Sequence, residues 1–278
     1  MSQTDTAASA ASRSLPGIPA SAGVRFARVI GVGSALPARR VTNDDLVADL
    51  AARGVETSDE WISTRTGIRQ RWLAGPDDST TSLGARAARA AMEMAGVGPD
   101  DIDLVVCATS TPDQIFPSTA CLIQNELGIH QGGAFDVQAV CSGFVYAMAN
   151  ADALIRAGVA NRALVIGADV FSRIMDWNDR STCVLFGDGA GAAVFGPVED
   201  GYGVRAFDLG SDGSGGDALD IPSSGSLCPV TPETIAQRLN FVHMDGKAVF
   251  RFATKVMGRT VETSLERAGM QREELDYL

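Results

Sequence analysis

Histidine and closely paired cysteines are scarce in this sequence, and their scarcity limits the chemistry that it can support. Its 278 residues include two histidines, His130 and His243, and five cysteines, with no C-x-x-C pair among them. Such spacing matches no zinc site, and an odd number of scattered cysteines argues against a disulfide scaffold. We therefore expect neither a metal nor another cofactor, and we expect a reducing compartment such as the cytoplasm.

Long apolar runs and an excess of basic residues are also missing. No stretch reaches the roughly 18 apolar residues that a membrane span needs, so no membrane partner is expected. Residues 1–24 lack the basic and apolar regions of a secretory signal, and we interpret them as a flexible arm outside the fold. Acidic residues outnumber basic ones by 34 to 23, a net charge of −11, which disfavours nucleic-acid binding. An acidic partner would need a local basic patch.

Strand and helix patterns alternate along most of the chain. From residue 24 to residue 168, short β-branched runs alternate with helical periodicity, which predicts an α/β architecture with a mostly parallel central sheet. A second unit is predicted to begin after residue 200, so that the chain divides into 25–200 and 201–278. The further predicted elements are strands at 181–186, 191–195 and 203–209, a loop-rich region at 210–240, a helix at 245–268, and the start of a strand at 276–278.

Cys141 stands at the junction of a predicted strand, 134–140, and a predicted helix, 142–157. The free N–H groups and the dipole at a helix N-terminus stabilise a thiolate, which is the nucleophilic form of cysteine. Ser142 and Gly143 are small and leave room for a substrate. The alternative is that Cys141 is a small core residue, as free cysteines often are. Cys107 and Cys183 are predicted to lie inside core strands.

Four segments give the sequence a specific resemblance. The Cys141 segment AFDVQAVCSGF resembles the nucleophile segment of the β-ketoacyl-acyl-carrier-protein synthase III family. Three more segments are similar to that family in the same order: TSDEWISTRTGIR at 57–69, FPSTACLIQ at 116–124 and LFGDGAGA at 185–192. The resemblance implies a thiolase-like fold of two related βαβαβ-type halves in αβαβα layers, here with an incomplete second half, and a homodimer.

The resemblance also implies an activity and a set of residues. In this family, acetyl-CoA acylates a cysteine, and a malonyl group on an acidic acyl carrier protein then decarboxylates and attacks the thioester. Cys141 matches the nucleophile. The positions that match the coenzyme A and acyl sites are Trp61, Arg65, Arg180, Phe116 and Phe186. Stacking on an indole and pairing of guanidinium with phosphate suit such a ligand. Core packing or surface ion pairs are the structural alternatives for each residue.

The predicted helix at 245–268 carries a basic stripe, defined by four residues at four-residue spacing: Lys247, Arg251, Lys255 and Arg259. Residues at this spacing share one helix face. On an acidic protein the stripe is a candidate docking patch for the carrier, with Lys247 and Arg251 as the docking residues. A solvated helix face without a partner is the alternative. Phe250, Ala253, Met257, Val261 and Leu265 form the predicted apolar stripe that should face the core.

The family's catalytic histidine and asparagine match positions beyond Leu278. His130 precedes the strand that leads to Cys141, about 20 Å away at ~3.3 Å per residue, and His243 has no matching role. We therefore expect the 278-residue chain not to condense malonyl groups, and we expect uncovered sheet edges and apolar surface. Three alternatives stay open: a relative that uses another acyl primer, a non-catalytic carrier-binding or dimerising remnant, and a redox-sensing role for Cys141.

Overall fold

The computed structural model describes residues 26–198 and 202–278. The predicted arm at 1–24 and the predicted boundary at residue 200 lie outside these ranges. In the first range the elements are β1 Phe26–Ala35, β2 Arg39–Thr42, α1 Asn43–Ala51, α2 Asp59–Thr66, β3 Gln70–Leu73, α3 Thr80–Ala95, β4 Leu104–Ala108, α4 Thr119–Glu126, β5 Gly133–Val137, α5 Gly143–Arg156, β6 Ala163–Val170 and β7 Asp188–Val198. In the second they are β8 Leu219–Asp220, α6 Pro232–Ala236, β9 His243–Met244 and α7 Gly246–Ala268.

A five-stranded sheet in the order β1-β7-β6-β4-β5 forms the centre of the molecule. The α/β class is confirmed, but the prediction of a mostly parallel sheet is wrong. β4 pairs in parallel with β5 and β6, whereas β7 runs antiparallel to both β1 and β6. The chain enters β7 from β6 through residues 171–187 without a crossover helix, and such a return favours antiparallel pairing.

Helices cover both faces of this sheet. Val105 and Cys107 of β4 point to one face, where α3 and α4 contribute the other half of an apolar cluster. Leu104 and Val106 point to the opposite face, where they pack against α5. Because successive side chains of a strand alternate between faces, a strand buried on both sides must be apolar throughout, as β4 is.

Two strand predictions are wrong, and local hydrogen bonding explains one of them. Residues 181–185 form a turn instead of a strand, since the Asp179 carboxylate accepts bonds from Ser181 N, Ser181 Oγ and Thr182 Oγ1. Such a side chain offers the backbone an alternative to a sheet ladder. β7 instead begins at Asp188 and runs through the glycine-rich segment between the strands predicted at 181–186 and 191–195. At 203–209, Val204 N donates to Ala27 O, but no strand forms.

The second described range differs most from expectation. The long helix is confirmed as α7, with Asp245 as its N-cap. Its predicted apolar stripe, however, is largely uncovered: Phe250 and Met257 are exposed, and Leu265 is the residue of α7 that is buried. Residues 276–278 form no strand. The expected uncovered apolar surface is therefore present on α7.

Close contact between β1 and α3 generates a stability prediction. A Cβ at Gly33 would lie 2.3 Å from Ala87 O and 2.5 Å from Ala91 N, so Gly33→Ala must push the helix away from the strand. We expect overpacking against backbone atoms to lower the free energy of unfolding by about 3 kcal/mol. Urea unfolding measures this loss.

Gly191→Ala is the matched control for Gly33→Ala, because a Cβ at this β7 position has no atom within 4 Å. It should change the free energy of unfolding by much less. Equal unfolding midpoints for the two variants would contradict this account of the β1–α3 contact.

Candidate active site

One edge of the sheet collects several of the residues predicted to be functional. The parallel strands β4, β5 and β6 all end there, so loop 109–118, Cys141 and Phe171 follow at the same edge. β7 starts at this edge, since Asp188 pairs with Val170 at the end of β6, and Phe186 therefore lies there as well. The carboxyl ends of parallel strands are the usual place for a site in α/β folds.

Cys141 lies in a tight turn between β5 and α5. Val140, Cys141 and Ser142 form a single 3₁₀ turn, and α5 follows directly from Gly143. Val140 has φ of 46°, a left-handed conformation that is unfavourable for a β-branched residue. A Cβ at Gly143 would lie 3.1 Å from Ala108 Cβ, so the turn sits close against the end of β4.

The thiol of Cys141 has the surroundings of a nucleophile. It is exposed, and it stands at the N-terminus of a 14-residue helix whose N-cap, Ser142, makes no side-chain capping bond. The free N–H groups and the helix dipole favour a negative charge at this point. The structural alternative for Cys141, a buried core residue, does not fit its exposure.

The other cysteines have different surroundings. Cys107 and Cys183 are buried, as predicted, although Cys183 lies in the turn at 181–185 and not in a strand. Burial raises the pKa of the Cys183 thiol to about 11 and raises the pKa of Cys107 well above its usual value. Both thiols are thus protonated near neutral pH. Cys121 and Cys228 are partly exposed.

Trp61, Arg65 and Arg180 form one cluster. Ser58 caps α2 by accepting from Trp61 N, and Arg65 follows one helical turn after Trp61. The guanidinium carbons of Arg65 and Arg180 lie 4.7 and 4.8 Å from the centre of the Trp61 ring. Arg180 also donates to Glu56 O. Two cations and an aromatic face therefore meet at one place, a combination suited to a phosphorylated aromatic ligand.

The two phenylalanines have contrasting environments. Phe116 is 81% exposed, in the loop that follows β4, so core packing is excluded for it in this chain. Phe186 is partly buried and stacks on Phe171, with ring centres 4.8 Å apart. Phe116 and Phe186 therefore lie at the same edge of the sheet in different surroundings.

The basic stripe lies on the surface, with all four side chains exposed. Within the described ranges, none of the four forms an ion pair with a carboxylate. A cleft of about 740 Å³ between α5 and α7 is lined by Ser142, Tyr146, Lys255 and Arg259. The C-terminal half of the stripe thus faces the neighbourhood of Cys141, whereas Lys247 and Arg251 lie outside the cleft.

Neither histidine is part of this neighbourhood. His130 precedes β5, at the edge of the sheet opposite to Cys141. His243 is exposed in β9, and its Nε2 lies 3.2 Å from Arg238 O. Among the residues that the structure describes, no group of three or more His, Cys, Asp or Glu side chains can hold a metal ion. In the same ranges, no helix is long and apolar enough to cross a bilayer.

Several polar residues of the site region were missed from the sequence. Asp136 and Asp169 are partly buried in strands that end at the active edge, and burial raises the pKa of Asp169 despite three donors at its carboxylate. Buried Arg71 donates to Asn43 Oδ1 and to Val184 O, next to Phe186. An acidic residue inside an otherwise apolar strand was the available signal for the two aspartates.

Comparisons with known proteins show which family the chain resembles. A family model described as 3-oxoacyl-[acyl-carrier-protein (ACP)] synthase III matches residues 135–213, the part of the chain that contains Cys141, Arg180 and Phe186. A solved 3-oxoacyl-[acyl-carrier-protein] synthase III from Aquifex aeolicus is 40% identical, with a TM-score of 0.78; the match covers 90% of this chain and 74% of that one.

Two further solved structures extend the comparison. The 3-oxoacyl-(acyl carrier protein) synthase III from Pseudomonas aeruginosa is 43% identical, with a TM-score of 0.81, over 91% of this chain and 74% of that one. A priming β-ketosynthase from a polyketide biosynthetic pathway is 37% identical, with a TM-score of 0.79, over 91% of this chain and 73% of that one.

The strained turn at Cys141 generates a prediction that separates stability from reactivity. Val140→Gly removes a β-branched side chain that is already 51% exposed and gives the left-handed backbone its preferred residue. We expect a gain of about 1 kcal/mol in the free energy of unfolding, because strain relief exceeds the entropy cost of glycine. Alkylation of Cys141 by iodoacetamide should become slower, because a looser turn holds the thiol less firmly at the helix N-terminus.

Val159→Gly serves as the control for Val140→Gly. Val159 has a similar exposure of 44% and is not among the residues with positive φ. This change should lower the stability. A loss of stability in both variants would contradict the assignment of strain to Val140.

Proposed function

The chain belongs to the 3-oxoacyl-[acyl-carrier-protein] synthase III family of condensing acyltransferases, and we propose that it carries out the first step in the initiation of type II fatty-acid synthesis, the transfer of an acetyl group from acetyl-CoA to Cys141. The observation that carries the proposal is the exposed Cys141 in a strained turn at the N-terminus of α5. No other cysteine in the described part of the chain combines exposure with such a position.

The proposed first step is a thiol exchange at a carbonyl. The Cys141 thiolate attacks the acetyl thioester, a carbon–sulfur bond to Cys141 forms, and the bond to coenzyme A breaks, so that coenzyme A leaves as a thiolate and takes up a proton. In the second step, malonyl on the carrier loses CO₂ and the resulting enolate carbon attacks the acetyl-Cys141 thioester. Cys141 then leaves as a thiolate, and 3-oxoacyl-carrier is released.

The cluster of Trp61, Arg65 and Arg180 is the proposed coenzyme A nucleotide site. The indole offers a stacking face for the adenine, and the two guanidinium groups can pair with phosphates. These three residues come from two separate segments, α2 and the turn region before β7, and they meet in space as one ligand site requires.

A homodimer is proposed on the basis of the sheet edge beside Cys141. β5 is the outermost strand, so one side of its backbone has no partner strand in the described chain. Such an edge can pair with a second copy. Exposed Ile115 and Phe116 add apolar surface next to it, and Phe116 is proposed to reach the acyl pocket of the second copy.

The acyl carrier protein is the proposed second partner. An acidic carrier would meet an acidic protein, so the basic stripe on α7 is the natural contact, with Lys247 and Arg251 as the proposed docking residues. The similarity to a priming β-ketosynthase of a polyketide pathway supports a second candidate, namely an acyl primer other than acetyl.

Intact mass after incubation with acetyl-CoA tests the proposed function. We expect one acetyl adduct, which the Cys141→Ser variant should lack, because Cys141 is the proposed acceptor. Adding malonyl-carrier should not give sustained turnover of the 278-residue chain, because neither of its histidines lies beside Cys141.

Circular dichroism of the same samples establishes that they are folded. A folded chain without any adduct would count against the acyltransferase assignment and in favour of a carrier-binding or dimerising role. Sustained condensation by the 278-residue chain would show that condensation does not need a histidine beside Cys141.

Carrier docking has its own test. The double variant Lys247→Glu, Arg251→Glu should weaken binding of the acyl carrier protein about tenfold, from two lost surface charge pairs of ~0.5–1 kcal/mol each. Acetylation of Cys141 should stay unchanged. Fluorescence anisotropy of a labelled carrier measures the affinity at low salt.

The matched control for the docking test is Lys255→Glu, Arg259→Glu, which makes the same charge change on the same helix. A smaller effect is expected there, because these residues face the cleft beside Ser142. Equal losses of affinity in the two double variants would show a non-specific effect of charge, and Lys247 and Arg251 would then not be the docking residues.

A further inference from the structure

Three carboxylates hold loop 109–118, the segment that presents Phe116. At its start, Asp169 of β6 accepts from Ser110 N at 2.8 Å and from Thr111 Oγ1 at 3.0 Å. At its end, Asp136 of β5 accepts from Thr119 N and Ala120 N, both at 2.7 Å. These two residues fix the loop ends to the strands on either side of β4.

The third carboxylate, Asp113, belongs to the loop itself. Its Oδ1 accepts from Thr80 N at 2.9 Å, and its Oδ2 accepts from Thr81 N and Ser79 Oγ, both at 3.2 Å. Thr80 and Thr81 are the first residues of α3, 33 and 32 positions away in sequence. Asp113 thus satisfies helix N–H groups that would otherwise lack an acceptor, and its charge suits the helix dipole.

Four residues, 114–117, separate Asp113 from Ser118, the N-cap of α4. Ile115 and Phe116 lie in this short span and are 88% and 81% exposed. Their own side chains therefore contribute little packing that could fix their position. Their position is fixed instead by two hydrogen-bonded anchors, Asp113 before them and the start of α4 after them.

We propose that Asp113 is a positioning residue for primer selectivity: it latches loop 109–118 to the N-terminus of α3 and so fixes where Phe116 limits the acyl pocket of the second copy. The inference rests on the proposed function, because it needs Phe116 to contact the acyl group. Without the latch, Phe116 can move aside, and longer primers gain access to the pocket.

A competition experiment tests the selectivity. The full chain is incubated with equal amounts of acetyl-CoA and hexanoyl-CoA, and the ratio of the two Cys141 adducts is read by intact mass. Asp113→Ala should raise the ratio of hexanoyl to acetyl adduct about 2- to 30-fold, the factor that corresponds to loss of a helix cap. This ratio is measured within one sample, so it does not depend on how much of the protein is folded.

Two variants control the competition. Asp113→Asn keeps one acceptor oxygen for Thr80 N and Thr81 N and should largely restore the wild-type ratio. Asp45→Ala removes a carboxylate of the same kind, which caps α1 through Thr42, and should leave the ratio unchanged. The same adduct ratio in wild type and Asp113→Ala would overturn the inference, as would an equal shift in Asp45→Ala.

Hydrogen exchange provides a readout that does not need acylation. In Asp113→Ala the amides of Thr80, Thr81 and residues 114–116 should exchange faster, while those of α1 stay protected. If the wild type forms no adduct at all, the proposed function fails, and exchange then decides on the latch alone. Unchanged exchange at Thr80 and Thr81 would overturn the proposed latch. Faster exchange confined to Thr80, Thr81 and residues 114–116 would support it.

Discussion

The burial of the parallel strands β4 and β6 between helices determines where this protein can carry a reactive group. β4 is buried along its whole length, because α3 and α4 cover one face of the sheet and α5 covers the other. Side chains within such a strand pack against the helices and are not accessible to a substrate. Polar groups and substrate can therefore meet only where the strands end. Cys141, loop 109–118 and Phe186 all lie at this edge for that reason.

The edge is held together by directed polar contacts instead of by apolar area. Asp169, Asp136 and Asp188 each accept at least two hydrogen bonds from loops or helix N-termini. Hydrogen bonds have a narrower geometry than apolar contacts, so they fix a loop more closely while leaving its apolar residues exposed. At this edge Val140 also holds a left-handed backbone conformation, directly before Cys141.

The two described ranges, 26–198 and 202–278, differ in how well their apolar residues are covered. Residues 26–198 supply nearly all of the two apolar clusters that cover the faces of the central sheet. α7 carries apolar residues with little cover, Phe250 and Met257 among them, beside the exposed basic stripe. The Asp245 N-cap and the left-handed Gly269 stabilise the two ends of this helix.

The sequence by itself determined the α/β class, the helices and strands with clear periodicity or caps, and the family, because short motifs such as AVCSGF combine local geometry with chemistry. Cys141 was identified in the same way, since a strand end and a helix start are local features. The antiparallel course of β7, the turn at 181–185, and the meeting of Trp61 with Arg180 were decided by the tertiary structure. The course of β7 and the meeting of Trp61 with Arg180 depend on contacts between residues far apart in sequence. The turn depends on a side chain, Asp179, that competes with the sheet for backbone donors. Hydrophobic periodicity contains no information on distant contacts or on such competition.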